Sequence, residues 1–376
     1  MSIIIGADFV PTKSNYDLFE SGSLQELLGD ELSTILAEAD YRIFNLESPL
    51  TDKISPIKKC GPNLRAPTNT VNGYVAAKVD LFTLANNHIL DQGENGLQDT
   101  CKILSNNKIK YLGAGVNLSE ACTSHIFSKN GKYYGIYGCV EHEFSYATIV
   151  RAGANPFDPL ESFDQITNLS KQCSYTIVLY HGGKELYRYP SPYLQKVCRK
   201  MIEKGADLVI CQHSHCLGCY ENYRNGTIIY GQGNFLFDYS NHDCWKTGTL
   251  IRINDNNKIS FIPIAKADNK VRLACGKEAE HIISEFEKRS DEIQQEGFVE
   301  AAYDALSKNE LYRYFYALGG KGRSILFHVI ERLLNRTPDI SKWYKKSKLL
   351  NIQNAIECEA HRELIITGIR NIAVDK

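Results

Sequence analysis

The sequence predicts an α/β protein with a helical C-terminal extension, and three observations predict it. Over roughly the first 265 residues, strand-like and helix-like segments alternate, the pattern of a layered α/β fold. From about Lys277 the texture changes to long amphipathic stretches with few strand signals. Third, six short apolar runs each end in a side chain able to bind a metal, and open α/β sheets place ligands just beyond the carboxyl ends of their strands.

The first run, Ile3-Ile4-Ile5, leads to Asp8. Gln25 to Glu38 reads as a helix, followed by Tyr41-Arg42-Ile43-Phe44, which leads to Asn45 and Glu47. Leu81-Phe82-Thr83-Leu84 leads to Asn86, Asn87 and His88, and Leu97, Cys101 and Leu104 then recur at helical spacing. A strand over Tyr134 to Cys139 precedes Glu141, His142 and Glu143. Thr176 to Tyr180 leads to His181. Leu194, Val197, Cys198, Met201 and Ile202 form one apolar helical stripe, with Gly205 placed to end it. Leu208 to Cys211 leads to His213 and His215, and Ile228-Ile229-Tyr230 leads to Asn234. Further on, Ala279 to Gln295, Phe298 to Leu318, Ser324 to Leu334 and Ile352 to Ile372 read as helices. Gly319-Gly320-Lys321-Gly322 and Thr337-Pro338 mark breaks. The glycine-rich break lacks the spacing of a phosphate-binding loop and no buried strand precedes it.

The chain has 376 residues, 43% hydrophobic and 23% charged, the composition of an ordinary globular protein. A net charge of -1 argues against nucleic-acid binding, which calls for a basic face. Lys342, Lys345, Lys346 and Lys348, around Trp343 and Tyr344, form the one basic cluster. It reads as a solvated helix face before it reads as a contact for an anionic polymer or a membrane surface. No apolar run reaches the ~20 residues of a membrane span. The N-terminus shows no basic or apolar region of a signal peptide, so a cytoplasmic protein is expected. Twelve scattered cysteines read mainly as reduced, buried small hydrophobes. Cys216 and Cys219 form a lone C-x-x-C, a weak signal for structural zinc or redox chemistry.

His213-Ser214-His215, just past a buried strand, is the most specific local element, since imidazole suits Zn, Fe and Mn. Asn86-Asn87-His88 alone would read as a turn. Joined by Asp8, Glu47, His181, His213 and His215, it completes two carboxylates, an amide and three histidines before His88 is counted. That is enough for two ions and too many for one tetrahedral site. A carboxylate bridge between ions ~3.5–4 Å apart is the usual design of a two-metal hydrolytic site.

The order Asp8, Asn45-Leu46-Glu47, Ala85-Asn86-Asn87-His88, His181-Gly182-Gly183-x-Glu185, Gln212-His213-Ser214-His215, Gly231-Gln232-Gly233-Asn234-Phe235 resembles the CapA, or poly-γ-glutamate capsule-synthesis, family. Asp91-Gln92-Gly93, Gly113-Ala114-Gly115 and Gly205-Ala206-Asp207 add to it, and the resemblance covers roughly residues 3–240. That family is similar to the calcineurin-like metallophosphoesterases. The resemblance implies a four-layer sandwich of two mixed β-sheets flanked by helices over residues 1–270, with a helical extension over 271–376. It also implies that Asp8 and His215 hold one metal, that Asn87, His181 and His213 hold the other, and that Glu47 bridges them. His88 would protonate or orient the leaving group. Two departures stand out. Val10 occupies the place of a histidine in the wider superfamily, and Asn45-Leu46-Glu47 replaces its usual Gly-Asp-x-x-Asp.

Around this set, Lys59 and Arg65 read either as a clamp on an anionic substrate group or as solvated loop charges. Asn45 and Asn234 are expected to face substrate. Glu143, with Glu141 and His142, reads as a carboxylate facing substrate, as a group supporting the ligands, or equally as a surface turn. Glu185 is expected to orient a ligand histidine. The reading is a hydrolase using two divalent ions (Mn, Fe or Zn) on a phosphoester or related anionic substrate. Its setting would be capsule, exopolysaccharide or polyglutamate production. Its partner would be an anionic small molecule or polymer precursor, and the C-terminal helices could join a second copy or a synthase. The alternatives are an accessory subunit that binds an anionic polymer or a synthase, and a metal-dependent amide hydrolase or transferase.

Overall fold

The computed structural model describes residues 2–319, 345–357, 361 and 365. Two mixed sheets carry the fold. The first runs in the order β16 (Lys270–Leu273), β15 (Ile259–Ala267), β14 (Thr247–Asn254), β1 (Ser2–Val10), β2 (Tyr41–Asn45), β3 (Leu81–Thr83), β4 (Lys110–Leu112). β1 to β4 are parallel, β14 to β16 are antiparallel, and β13 (Leu236–Phe237) pairs in parallel with the end of β1. The second sheet runs β11 (Tyr220–Tyr223), β12 (Gly226–Ile229), β10 (Leu208–Gln212), β9 (Tyr175–His181), β7 (Lys132–Val140), β6 (His125–Lys129). Its four central strands are parallel and its edge strands antiparallel. β5 (Ala114–Gly115) and β8 (Gly153–Ala154) form a short ribbon.

Strand alternation turns these sheets into four layers. Ile3, Ile5, Ile43 and Leu81 point one way and pack on Ile136, Ile177, Leu179, Leu208, Ile210 and Ile229 of the other sheet. Ile4, Phe44 and Phe82 point the other way. They pack under Leu27, Leu28, Leu32 and Leu36 of the helix Leu24–Glu38 and Leu97 and Leu104 of the helix Gly93–Asn106. The outer face of the second sheet, including Val178, Tyr180, Val209 and Cys211, packs under Leu194, Val197, Cys198, Met201 and Ile202 of Pro192–Glu203. That helix starts where Ser191 accepts a hydrogen bond from Leu194 N at 3.0 Å, an N-cap. It gives way to Gly205 at φ 105°.

The chain divides into a compact unit Met1–Glu300 and a second, Ala301–Lys376. The first runs past the boundary expected at 270 because β16 and the helix Gly276–Glu292 belong to it. Phe286 of that helix lies 5.1 Å from the Tyr220 ring and 5.0 Å from Phe261, across the edges of both sheets. Helices at Phe298–Gly319 and Lys346–Glu357 follow. The helix expected over Ser324–Leu334, the breaks at Gly320-Lys321-Gly322 and Thr337-Pro338, and Lys342, Trp343 and Tyr344 lie outside the described residues, as does most of the stretch from Cys358 to Ile372. No described helix is long and apolar enough to cross a membrane. Cys216 and Cys219 are buried in different apolar clusters, as small hydrophobes would be.

Candidate metal centre

The carboxyl ends of β1, β2, β9 and β10 converge. β1 and β2 pair Asp8 with Asn45 across an irregular register, while β9 and β10 pair His181 with Gln212. Glu47 follows β2 by two residues, and His213 and His215 follow β10 in left-handed backbone at φ 87° and 54°. Holding two non-glycine residues there is a strained turn of the kind that functional sites store.

Two groups of side chains result, Glu47 with His181 and His213, and Asp8 with Glu47 and His215. All are buried, and within each group the ligand atoms lie within 4.8 Å of one another. Glu47 is common to both. Its carboxylate is fully buried, and neither oxygen makes a hydrogen bond. Around His181 Nε2 stand Glu47 Oε1 at 3.3 Å, Asn87 Oδ1 at 3.0 Å and His213 Nδ1 at 3.2 Å. Each of these atoms offers a lone pair, and one nitrogen can supply at most one proton among them. Such a convergence of oxygen and imidazole donors suits a transition-metal cation. In the second group His215 Nδ1 lies 3.3 Å from Asp8 Oδ2 and 2.9 Å from Asn234 Oδ1.

The electrostatics follow from burial. Desolvation, helped by neighbouring His181, pushes His213 well below the usual imidazole range, which leaves it neutral. Burial opposes charge on His215 too, but the Glu47 and Asp8 carboxylates outweigh it and push His215 up to about 9. Burial and then Glu47 raise Asp8. Glu47 is held low despite its burial, because His181 and His215 face it.

Asn45 lies deeper than its expected place beside substrate. It is buried, its Nδ2 donates to Asp8 Oδ1 at 2.7 Å, and its Oδ1 accepts from Asn86 Nδ2 at 3.1 Å. Asn86 also donates to Leu46 O at 2.8 Å, so this amide chain ties three strand ends together. Glu143 accepts from Asn87 Nδ2 at 2.9 Å, which aims the Asn87 carbonyl at His181. Asn234 Nδ2 is buried without a partner. Lys59 is turned inward, ion-paired with buried Asp91 and 3.1 Å from His88 Nδ1, so its charge balances Asp91. Arg65 donates to Thr51 O at 2.9 Å, and its described bonds include no member of the cluster. Glu185 is exposed on the loop after β9 and makes no described bond to a histidine; the His181 Nδ1 edge faces Asn45 instead, at 3.5 Å.

Two features escaped the sequence reading. Asp91 Oδ2 lies 2.6 Å from His88 Nδ1, and the His88-x-x-Asp91 spacing was the available signal. Trp245 covers His215 at a ring separation of 4.3 Å, and it forms an apolar pocket with Val10, Cys216, Phe237 and Cys244. Val10 thus serves packing in the place where a further imidazole was absent from the sequence.

A profile of the bacterial capsule synthesis protein PGA_cap family matches residues 4–239. The chain belongs to this family. The PGA_cap match spans every candidate metal-ligating side chain and ends before Cys244 and Trp245. Among curated relatives, the capsule biosynthesis protein CapA of Bacillus anthracis is 30% identical over 224 residues, covering 55% of this chain and 53% of the relative. The PGA biosynthesis protein CapA of Bacillus subtilis (strain 168) is 29% identical over 209 residues, covering 54% of this chain and 55% of the relative. The chain therefore spans about half the length of these relatives. The crystal structure of a phosphatase from Mycoplasma pneumoniae aligns with a TM-score of 0.44 at 14% identity, covering 71% of this chain and 94% of that one.

Proposed function

We propose that this PGA_cap protein is a two-metal hydrolase acting on a phosphoester or related anionic bond of a precursor used in capsule or polyglutamate production. One observation carries the reading: a buried carboxylate, Glu47, shared by two ligand groups and left with both oxygens unbonded. A buried carboxylate that makes no hydrogen bond and has His181 Nε2 at 3.3 Å as an ionic contact is costly, and cations held beside it would remove that cost. Glu47, Asn87, His181 and His213 would hold one ion and Asp8, Glu47 and His215 the other. Bound Mn, Fe or Zn ions would supply Lewis acidity to a phosphoryl oxygen and ease deprotonation of water.

The chain's own residues do the rest. Asn45 and Glu143 fix the rotamers of Asp8 and Asn87. Asp91 holds His88 through Nδ1, leaving Nε2 to give a proton to a departing oxygen, while Lys59 pairs with Asp91 from the other side. The unpartnered Asn234 amide would donate to a substrate oxygen. The test is elemental analysis of the chain as purified and after reconstitution with Mn, Fe or Zn, with Glu47→Ala and His213→Ala beside it, followed by a phosphoester and amide substrate screen. About two ions per chain, lost in the variants, is the expected result. His88→Asn should then keep its ions and lose about 10²–10⁴ in kcat. A chain that takes up none of the three metals would overturn the proposal.

A further inference from the structure

A second cleft lies at the other end of the sandwich. β9 begins at Tyr175 and ends at His181, so a strand of roughly 20 Å separates this cleft from the metal cluster. It opens between the edges of the two sheets, with a volume of about 430 Å³, in the range of small-molecule sites, about 300–1,000 Å³.

Its lining pairs aromatic rings with amides and hydroxyls. Tyr175, Tyr220 and Phe261 supply the rings. Tyr220 and Phe261 stand 5.0 Å apart and are backed by Phe286, which holds them in place with part of each still accessible. Asn222, Asn225, Thr227 and Asn257 supply the polar groups, and Asp207 is the one charged residue of the lining. Asn222 Oδ1 is occupied by Thr227 Oγ1 at 2.9 Å, which leaves the Asn222 Nδ2 donor for a ligand. Asn257 sits in left-handed backbone at φ 61° on the turn between β14 and β15, and its Oδ1 is buried without a hydrogen-bond partner. A buried acceptor without a donor is an exception that asks for a missing partner.

We propose that this cleft binds a neutral saccharide. Sugar rings present apolar C–H faces that pack on aromatic rings, and hydroxyls that both donate and accept, matching the amide and hydroxyl rim. No cation lines the cleft to recognise a phosphate or a polycarboxylate. The cleft would hold a glycan segment away from the metal cluster, so the inference stands whether or not the hydrolase reading does.

The test uses the full chain in saturation-transfer NMR and calorimetric titration. The probes are neutral di- to tetrasaccharides of glucose, galactose, mannose and N-acetylglucosamine, with oligoglutamate and adenosine alongside. At least one oligosaccharide should bind, and Asn222→Ala with Asn257→Ala should weaken it about tenfold while leaving metal content unchanged. Asn225→Ala, at an exposed position, should weaken binding without touching the fold. The proposal fails if no saccharide binds, if binding survives all three substitutions, or if adenosine or oligoglutamate takes the cleft in preference.

Discussion

His215 ties the chemistry of the cluster to pH. Its folded-state pKa of about 9 exceeds an ordinary imidazole value of ~6.5. In the metal-free protein its contribution to stability is therefore fully present below pH ~6.5 and is lost as pH rises through about 9. A chelated sample should melt at progressively lower temperature across that window, and His215→Gln should flatten the slope. Asn45 acts differently, because its amide meets groups on β1, on β9 and in the loop after β3. Asn45→Ala leaves buried polar atoms of Asp8 and Asn86 short of partners, at ~1–3 kcal/mol for each group not otherwise satisfied. Urea unfolding should show that loss, and metal titration should show weaker binding at Asp8. Asn45 was visible in the sequence as a polar residue at a strand end. Its depth was not, because that depends on which strand lies beside β2.

At the level of elements, the site depends on turns that only certain backbones can make. Gly233 has φ 73°, and a Cβ there would lie 2.6 Å from Thr247 O. Gly233→Ala should cost ~1–3 kcal/mol in strain and displace the neighbouring Asn234, which bonds His215. Thermal denaturation and metal titration on the same variant would check both effects. The parallel strands were legible because each is a short, doubly buried apolar run bounded by polar loops. The antiparallel edge pieces, β6, β11 and β16, carry mixed burial and exposed positions, so their sequences look like loops. Val10 shows the same limit from the other side. Its neighbours Cys216, Phe237, Cys244 and Trp245 come from distant segments and form an apolar pocket against His215 only after folding.

For the whole molecule, every candidate ligand lies in the compact unit that ends at Glu300. A chain ending at that residue should unfold cooperatively and keep the metal stoichiometry of the full protein. Circular dichroism melting and elemental analysis would decide it, and an aggregated or metal-free product would count against an independent unit. Local pattern by itself determined the alternation of strands and helices and the six polar strand ends, because period-2 and period-3.6 burial are properties of adjacent residues. It also pointed to Asp8, Glu47, His181, His213 and His215 as side chains that the fold would bring together, since open sheets collect their ligands at one edge. The tertiary structure alone decided that Asn45 is buried behind Asp8, that Lys59 answers Asp91, that Trp245 covers His215 and that Glu185 stands outside. The physical reason is that these relations are set by strand order, register and side-chain packing across segments far apart in the chain, and by whether a charge then finds water or a partner.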